Sequence, residues 1–214
     1  MKNLYKYILG LTVPLALMAC SSADGQTVND VKSKAESVIP TGNYDTMIVA
    51  GGCFWCVESD FEKLDGVIEA VSGYTGGVTD NPTYKEVTYR DTGHYEAAEI
   101  TFDPSVVSYD ELLNYYWTTI DPTDPTGQFC DKGESYRTAI FARDDQIEKA
   151  RQSLEGIKQN KPFQAPIVTP VLKAGVFFKA EDYHQDYYKK NPLKYKYYRT
   201  GCGRDAKLKQ LWGK

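Results

Sequence analysis

The chain has 214 residues, 42% of them hydrophobic and 13% aromatic, with a formal net charge of -4. That is enough apolar material for one sizeable core plus an extension, and it excludes a globally disordered chain. The acidic balance argues against phosphate-backbone binding as the main role, so no nucleic-acid partner is expected.

Residues 1–19 read as a leader rather than as part of the fold. Lys2 and Lys6 make a basic start, and the apolar run from Ile8 to Leu17 is too short to span a membrane. It ends in Leu17-Met18-Ala19-Cys20, which resembles a bacterial lipoprotein signal cut before Cys20, whose thiol would then carry lipid. Residues 20–43 are polar and are expected to form a lipidated tether. The expected location is therefore the cell envelope, as a membrane-anchored lipoprotein facing the periplasm or the outside. Ser21 stands where an Asp commonly signals inner-membrane retention, which favours the outer membrane. The folded domain is expected over residues 44–214, as a monomer.

The first element of that domain is Met47-Ile48-Val49-Ala50, a short apolar run that reads as a buried strand. Val57, Phe61 and Leu64 then fall at i, i+4 and i+7, the spacing of one helical face. Gly51 and Gly52 let the chain turn sharply between them, which places Cys53 at the helix start. Unpaired N–H groups and the macrodipole favour an anion there, so the Cys53 thiol is expected to ionise below its usual value of roughly 8.5. Residues 67–74 read as a strand ending in the turn Thr75-Gly76-Gly77, and Asn81-Pro82 opens a short irregular or helical stretch to Tyr89. In the strand expected near residues 95–102, Glu96 shares a face with Ala98, Ile100 and Phe102, where a glutamate rarely sits without a reason. Ser108 and Glu111 form a capping box for a helix that buries Leu112, Leu113, Tyr116, Trp117 and Ile120 and ends at Pro122.

A turn-rich loop leads to Gly133, followed by a strand over 136–141 and a helix marked by Ile147, Ala150, Leu154 and Ile157. One or two strands are expected within 168–178, and a short helix over 181–190. The elements interleave without a regular βαβ period. The fold class is thus α+β (mixed α/β), a single two-layer domain with a central mixed sheet flanked by helices and a long irregular C-terminal segment.

The run Gly52-Cys53-Phe54-Trp55-Cys56-Val57-Glu58 resembles the signature of the A-type methionine sulfoxide reductases. So do Gly73-Tyr74-Thr75-Gly76-Gly77, Asn81-Pro82-Thr83-Tyr84, Gly93-His94-Tyr95-Glu96-Ala97, Asp131-Lys132-Gly133-Glu134-Ser135-Tyr136-Arg137 and His184-Gln185-Asp186-Tyr187. The matches keep the family's order and span roughly residues 45–205. The resemblance implies a mixed α/β domain with no metal and no bound organic cofactor. It also implies reduction of the S epimer of methionine sulfoxide, free or in peptides, with an external thioredoxin-like dithiol as reductant.

The residue types suit that reaction on chemical grounds. A soft nucleophile must attack sulfur, an acid must protonate the departing oxygen, and an apolar wall should hold the S-methyl group. Cys53 is the nucleophile, and Glu96, desolvated on its apolar face, is the acid. Phe54, Trp55 and Tyr136 can form the wall, and by resemblance they are the methyl pocket. Tyr74, Asp131 and Tyr136 match positions that the family uses to orient substrate, and Tyr187 is placed near the pocket.

Attack leaves a sulfenic acid on Cys53 that a second thiol converts to a disulfide. Cys202, in the glycine-flanked Thr200-Gly201-Cys202-Gly203, is favoured for that step as part of a flexible tail. Cys56 stands where many family members have Gly, and it leaves open a direct Cys53–Cys56 disulfide or a relay from Cys202. Cys130 reads as a structural or incidental thiol. His94 and His184 are expected to hydrogen-bond within the domain rather than hold a metal, and the tyrosines of residues 183–198 to pack against it. Two other readings stay open: a thioredoxin-like thiol–disulfide oxidoreductase using Cys53 and Cys56, and a tethered envelope adaptor with structural disulfides.

Overall fold

A computed structural model describes residues 42–213, so the leader, Cys20 and the tether up to residue 41 lie outside the described residues. The first half runs β1 (Asp45–Gly51), α1 (Phe54–Phe61), β2 (Val67–Thr75), α2 (Tyr84–Tyr89), β3 (Tyr95–Phe102) and α3 (Tyr109–Thr119). The second half runs β4 (Gly127–Gln128), β5 (Asp131–Lys132), a 3-10 turn (Glu134–Tyr136), β6 (Thr138–Ala142) and α4 (Ile147–Asn160). It finishes with β7 (Val171–Lys173), β8 (Phe178–Lys179), α5 (Tyr187–Lys190), α6 (Pro192–Gly201) and α7 (Arg204–Trp212). Among the described residues, no helix is long and apolar enough to cross a membrane.

Six strands form one sheet in the order β7-β6-β1-β3-β2-β8, with β4 and β5 as a separate hairpin. Only the β6–β7 pair is parallel, so the sheet is mixed but mostly antiparallel. One face carries Met47, Val49, Ala98, Ile100 and Phe102 and packs on α1, α3 and α4 through Val57, Phe61, Leu112, Leu113, Tyr116, Trp117 and Ala150. The period-2 alternation of strands and the 3.6-residue period of helices put those residues on facing surfaces. The opposite face, with Ile48, Ala50, Ala97, Ala139 and Phe141, is covered by Tyr95, Leu172, Ala174 and Phe177. This is the two-layer arrangement expected.

Local signals set the element ends. Ser108 caps α3 as expected, with Glu111 N–H donating to its hydroxyl and its own N–H donating to the Glu111 carboxylate at 2.8 Å. Thr83 and Glu86 make a second capping box, which turns the ambiguous stretch before Tyr89 into α2. The buried Tyr116 hydroxyl donates to the Ala50 carbonyl at 2.7 Å, pinning the last turn of α3 to the end of β1. A buried phenol needs such a partner, and here it fixes the strand just before the cysteine.

Three expectations change. The C-terminal segment is irregular only as far as residue 186; beyond it lie α5, α6 and α7. Pro192 presets the first turn of α6 and Gly203, at φ +67°, lets the chain turn directly into α7. The expected helix over 181–190 shrinks to α5, because Asp186 adopts a left-handed conformation at its start. The strand expected from Tyr136 begins at Thr138, after the 3-10 turn. Of the tail tyrosines, Tyr187, Tyr188, Tyr195 and Tyr198 pack inward, whereas Tyr183 and Tyr197 are exposed.

Candidate active site

The site forms where β1 ends and α1 begins. Gly52 has φ +81°, and a Cβ there would lie 2.5 Å from the Gln128 Cβ, so the turn needs glycine. Cys53 follows as the N-cap of α1, its carbonyl accepting the Cys56 N–H at 3.0 Å. The next free N–H of the helix start, that of Phe54, donates to Glu96 Oε2 at 3.2 Å. Cys53 and Glu96, 43 positions apart in the chain, are therefore held by one helix turn and one strand.

Glu96 is 1% exposed and sits opposite Tyr74 in the β2–β3 register. Burial raises its carboxyl from 4.5 to about 8; hydrogen bonds from Phe54 N–H and Tyr136 oppose the rise, and the nearby Asp131 carboxylate adds to it. At neutral pH the group holds a proton that it can donate.

The thiols behave differently from the expectation drawn from the helix start. Cys53 is 5% exposed, and burial, followed by the hydrogen bond and charge of Cys56, raises its thiol well above the ordinary value. Cys56, 2% exposed, is the thiol brought down, to about 7, first by the hydrogen bond from Cys53 and then, against burial, by Arg204 and Arg199. The two thiols titrate as a coupled pair, with ionisation disfavoured at Cys53 and favoured at Cys56. The helix N-terminus is present, but desolvation and a neighbouring anion outweigh it at Cys53.

Aromatic groups surround the pair. Phe54 packs with Tyr74, Tyr84, Val87 and Ala180, with ring centroids 5.9 Å from Tyr74 and 6.4 Å from Tyr84. Trp55 stacks on Tyr187 at 3.7 Å with 6° between the planes, and its Nε1–H donates to His184 Nδ1 at 3.1 Å. His184 is buried and its pKa is lowered by desolvation to about 4, so it stays neutral and accepts that bond. His94 accepts from Gly77 N–H at 3.2 Å through Nδ1, and its Nε2 lies 2.8 Å from the Thr79 carbonyl, a hydrogen-bonding role within the domain. Tyr136, half-buried at the end of the 3-10 turn, hydrogen-bonds with Tyr84 and with Glu96.

The remaining expected residues have more specific partners. The Tyr74 hydroxyl donates to Glu181 Oε2 at 2.8 Å, and the same carboxylate accepts the Tyr84 N–H at 2.8 Å. Asp131 accepts a hydrogen bond from Tyr198 of α6, whose hydroxyl also hydrogen-bonds with Cys53. Tyr84, Glu181 and Tyr198 were not anticipated; Tyr84 lies within a quoted motif, but nothing in the local pattern singled out the other two. Glu58, also unanticipated as a site residue, accepts from Ser72 and from Asp186 N–H, each at 2.5 Å, and so ties α1 to the segment carrying His184 and Tyr187.

Cys202 does not sit in a flexible tail. It caps α6, its N–H donating to the Tyr198 carbonyl at 2.9 Å, and its sulfur is bonded to Cys130 across 72 residues of sequence. Cys130 thus has a structural partner, and Cys53 and Cys56 are the free cysteines among the described residues. Cys130, Asp131 and Cys202 converge closely enough to suggest a metal, but the disulfide leaves no thiolate there to bind one.

Comparison with known proteins supplies the family. The profile described as peptide methionine sulfoxide reductase matches residues 45–214. A peptide methionine sulfoxide reductase MsrA of Bacillus licheniformis is 53% identical over 166 residues, covering 77% of this chain and 92% of that one. Methionine sulfoxide reductase A of Corynebacterium diphtheriae matches in structure with a TM-score of 0.67 at 32% identity, over 73% of this chain and 79% of that one. The reduced form of Mxr1 from Saccharomyces cerevisiae gives a TM-score of 0.66 at 30% identity, over 70% and 87%.

Proposed function

Because this chain belongs to the peptide methionine sulfoxide reductase family, we propose that it reduces the S epimer of methionine sulfoxide, free or in proteins, using Cys53, Glu96 and Cys56. The observation that carries this reading is the buried Glu96 carboxyl, kept protonated and hydrogen-bonded to the helix turn that bears Cys53. The substrate S-methyl group packs against Phe54, Trp55 and Tyr136, and Asp131 and Tyr136 orient the sulfoxide. Tyr198 gives up its contact with Asp131 as substrate enters.

In the first step Cys53 passes its proton to Cys56 and attacks the sulfoxide sulfur, while Glu96 protonates the oxygen. The substrate sulfur–oxygen bond breaks, the protonated oxygen bonds to the Cys53 sulfur as the Cys53–substrate sulfur bond breaks, and methionine leaves with Cys53 as a sulfenic acid, oxidised by two electrons. In the second, Cys56 loses its proton and attacks the Cys53 sulfur. The new S–S bond replaces the S–O bond, and hydroxide leaves with a proton as water. An external thioredoxin-like dithiol then reduces the Cys53–Cys56 disulfide by exchange. Cys56, one helical turn from Cys53, is the thiol this reading assigns to the step, and Cys202, paired with Cys130, is the alternative, acting by a relay to Cys56.

The leader and Cys20 support placement as a lipid-anchored envelope enzyme, with its electrons supplied by an exported dithiol protein. Labelling with a radioactive fatty acid tests the anchor: label lost in Cys20→Ala supports it, and an unlabelled parent protein removes it. The catalytic reading is tested with the fully reduced protein and no added reductant, given each epimer of N-acetyl-methionine sulfoxide separately. About one methionine and two thiols lost per chain, with the S epimer alone, is the expected stoichiometry. No methionine from either epimer would end the proposal.

A further inference from the structure

The geometry points to Arg199 and Arg204 as positioning residues for the disulfide-forming step, two guanidiniums gathered by Asp60 one helical turn from the Cys56 that acts as nucleophile. The inference rests on Cys56 being the resolving thiol. Cys56 and Asp60 lie four residues apart on one face of α1, 2% and 3% exposed. Two arginines converge on Asp60 from the C-terminal helices. Arg199 of α6 places Nη1 2.9 Å from Asp60 Oδ1 and 3.0 Å from the Tyr195 hydroxyl, and it also binds the exposed Asp205. Arg204 of α7 is 2% exposed; its Nη2 donates to the carbonyls of Gly51 at 3.1 Å and Thr119 at 2.9 Å.

The charges of this cluster do not balance within its buried part. A guanidinium stays protonated and is costly to bury unless it is paired. Asp60 is the buried carboxylate facing both, and it also pairs with the exposed Lys63 at 3.2 Å; Asp205, 63% exposed, binds Arg199 at 2.7 Å, and the half-buried Asp131 also faces Arg204. The Arg204 Nε is a buried donor without a hydrogen-bond partner, its nearest carboxylate oxygen being Asp60 Oδ2 at 4.0 Å. The groups facing Cys56 are Cys53 and Asp60 on α1, Glu96 on β3, Tyr195 and Arg199 on α6, and Arg204 on α7. Glu96 is protonated at neutral pH and Tyr195 is raised by burial, so an anionic Cys56 is the buried group next to Asp60 that these guanidiniums favour.

In the resolving step the Cys56 thiolate donates the electron pair that forms the S–S bond to Cys53, and hydroxide is expelled to become water. Arg199 and Arg204 favour that thiolate by their charge, whereas proton donation to the sulfoxide belongs to Glu96.

The test mixes the reduced full chain with the S epimer in a single turnover and quenches at intervals from about pH 5.5 to about pH 9. Methionine reports the first step. Acid-quenched thiol counts and mass mapping of the Cys53–Cys56 disulfide report the second. Removing a positive charge in Arg199→Met is expected to raise the pH midpoint of disulfide formation by about one unit, slowing it about tenfold relative to methionine release near pH 6. Removing the negative charge in Asp60→Asn should lower the midpoint, and Arg199→Lys should restore it. Opposite shifts from opposite charge changes are what a merely structural role does not produce. Equal slowing of both steps, or midpoints that move together or not at all, would overturn the inference while leaving the reductase intact. A wild-type disulfide that maps away from Cys56 overturns the inference together with the resolving role on which it rests.

Discussion

Replacing Glu96 by Gln is expected to disable the protein while making it more stable at neutral pH. The carboxyl is 1% exposed, and burial moves its proton release from 4.5 to about 8. Between those values the unfolded chain has lost this proton and the folded chain still holds it. The unfolded state then binds fewer protons, so stability falls as pH rises, by about 1.4 kcal/mol per pH unit. By pH 7 the accumulated penalty is about 3 kcal/mol, whereas below about pH 4 there is none. Gln has no proton to release, and its carbonyl oxygen can still accept the Phe54 N–H that Glu96 accepts at 3.2 Å. The assay is urea unfolding of both proteins from about pH 5 to about pH 8, with single-turnover methionine formation measured alongside. The stability difference should widen in favour of Glu96→Gln as pH rises, and methionine formation should fall by about 10²- to 10⁴-fold. A difference that stays flat with pH, or that moves in favour of the wild type, would refute the assignment of a buried protonated acid.

Cys56→Ser should release methionine once and leave Cys53 as a sulfenic acid, detectable as an adduct with a sulfenic-acid trapping reagent; a normal intramolecular disulfide at Cys53 would show that another thiol resolves it. Gly52→Ala should destabilise the fold by at least about 1 kcal/mol, because the position needs φ +81° and the added Cβ meets Gln128 at 2.5 Å. Thermal melting measures that loss, and an unchanged melting temperature counts against the tight turn. Ser108→Ala removes the cap of α3 far from the thiols and should cost about 1 kcal/mol in urea unfolding without changing the methionine yield.

Much of this architecture is written in short-range patterns. The strand–Gly-Gly–Cys–helix order located Cys53 at the head of α1, the alternation in β3 singled out Glu96, and Ser108 with Glu111 marked the start of α3. These features were legible because each depends on residues within one or two turns of one another. The Thr83–Glu86 box carried the same signal and defined α2 just as locally. The C-terminal helices were harder to read, since their stability comes from docking Tyr195, Arg199 and Arg204 onto α1 and β1 rather than from a strong local period.

Pairing and charge depend on distances that no local pattern contains. Cys202 is joined to Cys130 rather than left free because the fold brings together residues 72 positions apart. Tyr198 reaches Asp131 across 67 positions, and Glu181 meets Tyr84 across 97. The helix start suggested easier ionisation at Cys53, whereas burial raises that thiol and it is Cys56 that is lowered. That was decided by desolvation at Cys53 and, at Cys56, by the hydrogen bond from Cys53 together with two arginines from separate helices. The chain order names the reactive groups; their protonation states arise only when folding removes water and sets remote charges beside them.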